Sequence, residues 1–269
     1  MKEVTKRASI IFVFYNNFDE AEPTFASIEE QDCAGEDVEL ILSDDGSTKY
    51  DRSLLEKAAE RMRSRYPQVK VNLMPENVGT VAHLNRTFQI AEGKYYVFCS
   101  PGDRFPEKNT VSNILSRFEK GGELILTGRR RDVGEKGSRI MPPALLGPAL
   151  RICPRLLMNY MIRRHNLISS CCTSYSRELI ERYGGPDEDY RLLDDFPYFV
   201  SLLQKGVRFG FTEEIFLEHS VGGGVSTGQS IHPLILKDLE LMQEKLLREP
   251  TGLYASPVSF LRKQIEDRA

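Results

Sequence analysis

Apolar residues in this chain fall into short runs that stop abruptly at polar loops, and strand-like and helix-like spacing alternate. Residues 8–15 form a near-continuous apolar and aromatic run, the pattern of a central strand buried on both faces, and it ends at Asn16-Asn17. Residues 19–31 turn helical, with Phe25 and Ile28 on one stripe and Pro23 near the first turn. A second strand begins at Val38 and stops at Asp44-Asp45, after which Gly46-Ser47-Thr48 predicts a turn and a helix N-cap. This is a strand, helix, strand unit with a parallel crossover. Residues 51–65 predict a charged amphipathic helix through Leu54, Leu55, Ala58 and Met62. A third strand over 69–74 runs into Asn77-Val78-Gly79 before a helix over 81–91, and a fourth over 94–99 ends at Ser100-Pro101-Gly102-Asp103.

Four successive strands thus deliver polar loops to one edge of a sheet. In an open α/β sheet the carboxyl edge is where ligands bind, which makes Asp44, Asp45 and Asp103 binding candidates. For any one of them alone, a turn or capping role is the competing reading. Further on, Arg129-Arg130-Arg131 opens an atypical segment, and residues 140–162 mix Leu, Met and Ile with Arg151 and Arg155, followed by Arg163 and Arg164. That segment reads as an irregular or helical excursion near 129–165, either packed on the core or forming an acceptor lid that touches a membrane surface, where basic flanks suit anionic headgroups. Asp194-Asp195 precedes a helical stretch ending at Lys205-Gly206, and a last strand over 209–217 leads to His219 and a glycine-rich segment reaching Ser226. Residues 231–269 show helical spacing and read as an appendage. The expected division is a domain over 1–229, with halves 1–110 and 111–229, and a helical extension over 230–269.

The 269 residues suffice for a full core, and 41% hydrophobic with 28% charged residues is ordinary for a soluble globular protein. A net charge of −3 argues against a general nucleic-acid binder. Five cysteines, two of them the adjacent Cys171 and Cys172, make neither a disulfide framework nor a metal motif, so a reducing cytoplasm is expected. No run reaches the ~18 apolar residues of a spanning helix.

The order Phe14-Tyr15-Asn16, Ser27 with Gln31, Asp44-Asp45-Gly46-Ser47-Thr48, Asn77-Val78-Gly79 with Asn85, then Ala91-Glu92-Gly93 leading to Asp103 and Pro106 resembles the family 2 glycosyltransferases with the GT-A fold. The resemblance implies an α/β fold with a mostly parallel mixed sheet flanked by helices, and a nucleotide-sugar donor. It implies that Asp45 contacts the base, that Val13, Tyr15 and Asn16 line the nucleoside pocket, and that Asn77, Gly79, Ser100, Gly102 and Asp103 complete the donor site. A divalent cation, Mn²⁺ or Mg²⁺, would be held by Asp103 and His219. The family's usual acidic cluster is reduced here, with Ser100 and Gly102 in place of acids, which weakens free-metal binding. Asp194-Asp195 looks like the family's Glu-Asp pair, with Asp195 as general base for an inverting transfer. A UDP-hexose or UDP-N-acetylhexosamine donor and a glycan or lipid-linked acceptor of surface polysaccharide biosynthesis follow as expectations. The alternative is a catalytically degenerate nucleotide-sugar-binding protein.

Overall fold

A computed structural model describes residues 5–35, 37–134, 137–220 and 232–248. Strands β1 (Lys6–Phe14), β2 (Val38–Asp44), β3 (Val69–Leu73) and β4 (Gly93–Cys99) form the parallel half of one sheet, connected by helices α1 (Glu22–Glu29), α2 (Arg52–Arg63) and α3 (Thr80–Ile90). The register pairs Phe14 with Asp44 and Asp44 with Leu73, so these strands reach a common carboxyl edge. Every residue of β2 is buried, as expected of a strand covered on both faces, and burying Leu40, Ile41 and Leu42 contributes roughly 2 kcal/mol each. Side chains alternate between two cores: Ile11 and Ile41 face one, while Ile10, Phe12, Leu40 and Leu42 face the other.

The second half is mixed. After the short β5 (Asp103–Arg104) and α4 (Thr110–Gly121) come β6 (Ile125–Gly134), β7 (Gly137–Met141), α5 (Leu146–Ile152), α6 (Pro154–Arg163), β8 (Thr173–Ser176), α7 (Arg177–Tyr183), α8 (Phe196–Gln204), β9 (Phe209–Ser220) and α9 (Pro233–Arg248). The sheet order is β3-β2-β1-β4-β8-β6-β9-β5, with β7 hydrogen-bonded to β6.

Three expectations need correction. The Arg129-Arg130-Arg131 run is not part of an excursion but lies within β6, where the charges are met by Asp132, 2.7 Å from Arg130, and by Glu218, 2.6 Å from Arg131. Only α5 and α6 form the helical excursion. The cap of α2 is Asp51, whose carboxylate accepts from Ser53 N at 2.9 Å, because the Ser47 hydroxyl and Thr48 N are engaged with Asn16 instead. Finally, α9 is no appendage: Leu239 and Met242 are buried in the core beside α8, and Asp238 is buried with them. Residues 249–269, like the glycine-rich stretch up to Ser226, lie outside the described residues. Among the described residues no helix is long and apolar enough to cross a membrane.

Candidate active site

The carboxyl edge is stitched together by its own polar residues. Asn16, at the end of β1, takes a left-handed conformation with φ 56°, and its side-chain carbonyl accepts from Thr48 N and Lys49 N at 2.9 and 3.1 Å. Its own amide donates to Ser47 Oγ at 2.7 Å. Asp44 is fully buried, accepting from Ser47 N and from the Tyr50 hydroxyl. Asp45 reaches across to the next loop. Its Oδ1 accepts from Val78 N at 2.9 Å, and its Oδ2 accepts from Asn77 Nδ2 at 2.8 Å and from Gly79 N at 3.0 Å. The loops approach too closely for side chains: a Cβ on Gly46 would fall 2.4 Å from the Glu76 carbonyl carbon, and one on Gly79 would fall 2.7 Å from Arg191. Val13 is half-buried against the core and Tyr15 is exposed beside them.

The fourth strand ends in a tight turn in which Asp103 Oδ2 accepts from Ser100 N at 3.1 Å, with Gly102 at φ 85°. Antiparallel pairing of β5 with β9 sets Asp103 opposite His219, and His219 Nδ1 lies 2.6 Å from Asp103 Oδ1. The hydrogen bond to Asp103 raises the His219 pKa against the opposing effect of burial.

Asp195 caps α8, accepting from Phe196 N at 2.6 Å and from Asn166 Nδ2 at 2.8 Å. Burial pushes its pKa up to about 6, with those two hydrogen bonds opposing. Burial, then the neighbouring Asp195 charge, raises Asp194 well above the usual carboxylate range. Arg130 and Cys171 lie between the two acidic groups. Arg130 donates to Ser169 Oγ at 2.6 Å and to Cys171 Sγ at 3.5 Å, and its charge is felt by both His219 and Asp195. A hydrogen bond from Cys172 draws the Cys171 thiol down to about 7, opposed by burial and helped by Arg130.

Arg191 joins the two halves. Its guanidinium donates to Asn77 O and Oδ1 at 3.2 and 3.0 Å, and its carbonyl accepts from Val81 N. The segment that carries Arg191 and the acid pair is itself held by Asp238 of α9, whose carboxylate accepts from Arg191 N, Leu192 N and Leu193 N at 2.7–3.1 Å. The structure gathers Asn16, Asp45, Asn77 and Gly79 into one cluster of loops, pairs Asp103 with His219, and carries Asp194 and Asp195 on the loop that Arg191 ties to the first cluster. The sequence marks residues 165–170, with Asn166, as a re-entry to the sheet on the acceptor side but not as the support of Asp195, and the places of Arg130, Cys171 and Asp238 were not anticipated from it. Of these, Asp238 left a signal: an acid on the apolar stripe of Ile235, Leu239 and Met242.

Whether a divalent cation fits was tested on the donor set. Among the described residues no group of three or more metal-ligating side chains occurs. What exists is one carboxylate and one imidazole in contact. Such a pair suits a hard or borderline cation whose remaining positions are filled by diphosphate oxygens and water, so the residues fit a cation that arrives with a ligand better than one held permanently.

A mostly parallel sheet flanked by helices, with acidic residues at the carboxyl edge of its strands, has the arrangement of the GT-A glycosyltransferase fold. A model of the glycosyl transferase family 2 domain matches residues 9–184, and the chain belongs to that family. Among solved structures it is similar to Staphylococcus aureus TarS residues 1–349 in complex with UDP-GlcNAc, with a TM-score of 0.67 and 17% identity over 92% of this chain and 69% of that one. It is similar also to the same TarS fragment in complex with UDP, with a TM-score of 0.67 and 18% identity over 97% and 72%. The mannosyltransferase PcManGT from Pyrobaculum calidifontis, in complex with GDP-Man and Mn²⁺, matches with a TM-score of 0.63 and 17% identity over 98% and 72%. No curated protein matches the sequence. The family makes the protein a glycosyltransferase, and the fold is the one it shares with these structures.

Proposed function

We propose that the protein transfers a hexose or N-acetylhexosamine from a UDP-sugar, with inversion, to a hydroxyl of a glycan or lipid-linked acceptor in surface polysaccharide synthesis on the cytoplasmic side of a membrane. The observation that carries the catalytic part is the acid pair: Asp195 is oriented by two hydrogen bonds and its pKa of about 6 leaves it ionised at neutral pH, while burial and the Asp195 charge raise Asp194. An ionised carboxylate of that basicity can take the acceptor hydroxyl proton as its oxygen attacks the anomeric carbon. Asp45 Oδ1 accepts from Val78 N and retains a lone pair that would accept an N–H of the base, beside Val13, Tyr15 and Asn16. Ser100 and Gly102 leave Asp103 as the carboxylate facing the diphosphate. Asp103 and His219 would hold Mn²⁺ or Mg²⁺, which would offset charge on the leaving diphosphate, and PcManGT with its Mn²⁺ supports that choice. The structures with UDP-GlcNAc and UDP support a uridine donor.

One observation favours the rival reading of a protein that binds without turnover: both oxygens of Asp103 already have partners, in His219 and Ser100 N. Assay of a panel of UDP- and GDP-sugars for release of the nucleoside diphosphate separates the two. Release that depends on Asp195 supports transfer, and donor binding with no release by the intact protein supports the rival.

A further inference from the structure

The outer face of the α5–α6 pair is both greasy and basic. Leu145 and Ile152 are 78% and 79% exposed, Leu156 is 67% exposed, and Tyr160 stands one turn beyond Leu156 on the same row of α6. The opposite side of α6, Leu157, Met158, Met161 and Ile162, is buried in the core. The helix is therefore apolar on two sides, and only one of them has a partner among the described residues. Arg151, Arg155 and Arg163 are exposed around that outer side, and from residue 137 to residue 165 the sequence holds Arg139, Arg151, Arg155, Arg163 and Arg164 with no Asp or Glu. In a chain of net charge −3 this is a local concentration of positive charge.

Those two properties select the occupant. A second copy docked on the same face would set its arginines against their own copies, which is repulsive. A nucleic acid would use the arginines but leave isolated Leu and Ile side chains in water. A bilayer surface bearing anionic headgroups takes both, with apolar side chains entering the acyl boundary while arginines stay at headgroup level. We infer that the Leu145–Ile152–Leu156–Tyr160 face, ringed by Arg151, Arg155 and Arg163, docks the protein on an anionic membrane surface. The position also serves the reaction. Asn166, three residues past the end of α6, donates to Asp195, so the docked helix leads directly into the support of the base. A membrane-embedded acceptor would then meet the base at the bilayer surface, a point that rests on the lipid-linked acceptor proposed above.

Vesicle flotation of the full chain tests this without donor or acceptor, so failure to dock and failure to transfer sugar are separate results. The chain has no tryptophan, which makes Leu156→Trp a single reporter whose emission shifts to the blue on entering lipid. The expected result is flotation with phosphatidylglycerol-containing vesicles and not with pure phosphatidylcholine, together with that blue shift. Arg151→Glu with Arg155→Glu lowers the partition coefficient at least ~25-fold, at about fivefold per arginine. Ile152→Ser with Leu156→Ser abolishes flotation. Circular dichroism melts matching the parent protein show that the variants are folded, as substitutions at exposed positions allow. No flotation of the parent, flotation that survives both double variants, or a dimer that the variants break without any vesicle binding would each overturn the inference.

Discussion

The two edges of the parallel half-sheet bury carboxylates in opposite ways. At the amino edge Glu39 is fully buried on β2, and it accepts from Ser9 Oγ, Glu92 N and Gly93 N while Lys70 Nζ sits 2.7 Å away. Lys70 also pairs with Glu92 at 2.7 Å, so a permanent cation and backbone amides satisfy that edge from within the chain. At the carboxyl edge Asp44 and Asp45 are met by amides and a hydroxyl, with no lysine in contact among the described residues, and Asp103 is met by Ser100 N and by His219, a side chain that titrates. Burying a carboxylate is costly unless it is paired, and the amino edge meets that cost permanently. At the carboxyl edge no Lys or Arg among the described residues forms an ion pair with Asp44, Asp45 or Asp103. The difference teaches that burial of an acid does not by itself mark function; what marks it is a counter-charge left to a titrating group or an incoming ligand.

The comparison breaks most sharply on Asp195. Asp195→Asn keeps the size and the Phe196 cap of the side chain but not its basicity, and kcat falls roughly 10²–10⁴-fold in steady-state assays while UDP binding persists. Asp238→Ala removes the acceptor for three backbone amides of the 191–193 segment. A base displaced by a fraction of an ångström gives a kcat loss of about 10–100-fold with little change in donor KM, and Asp238→Glu recovers part of it. Glu39→Ala has the opposite signature: urea unfolding reports a loss of about 3 kcal/mol, and the folded fraction keeps its kcat. A smaller effect sits in the pH profile. The base works only when ionised, so kcat falls as pH drops through about 6. The Asn166 hydrogen bond favours that ionised form, so Asn166→Ala raises the Asp195 pKa and moves the acid limb to higher pH.

Much of the parallel half was legible, because each strand there is an apolar run with a sharp polar end, and hydrophobic periodicity is a local signal. Asp44-Asp45 and Asp103 could be placed at one edge from that pattern alone, and the order of short motifs pointed to His219 and Asp195. The antiparallel partners were not legible in the same way. Arg129-Arg130-Arg131 reads as the start of an irregular or helical excursion because the acids that satisfy it, Asp132 and Glu218, include one 87 residues away. Asn166 and Cys171 belong to no local pattern, and their roles come from folding α6 against α8 and β8 against β6. Asp238 is legible only from finer periodicity, as an acid on the same helical stripe as Ile235, Leu239 and Met242.

The central claim is that the carboxyl edge is completed by charge that a ligand brings, and calorimetric titration with UDP in the presence and absence of Mn²⁺ tests it most directly. The account predicts binding that is strengthened by the metal in the parent protein and loses that dependence in Asp103→Ala, while Glu39→Gln retains it. Binding of equal strength with and without Mn²⁺, unchanged by Asp103→Ala, would contradict it.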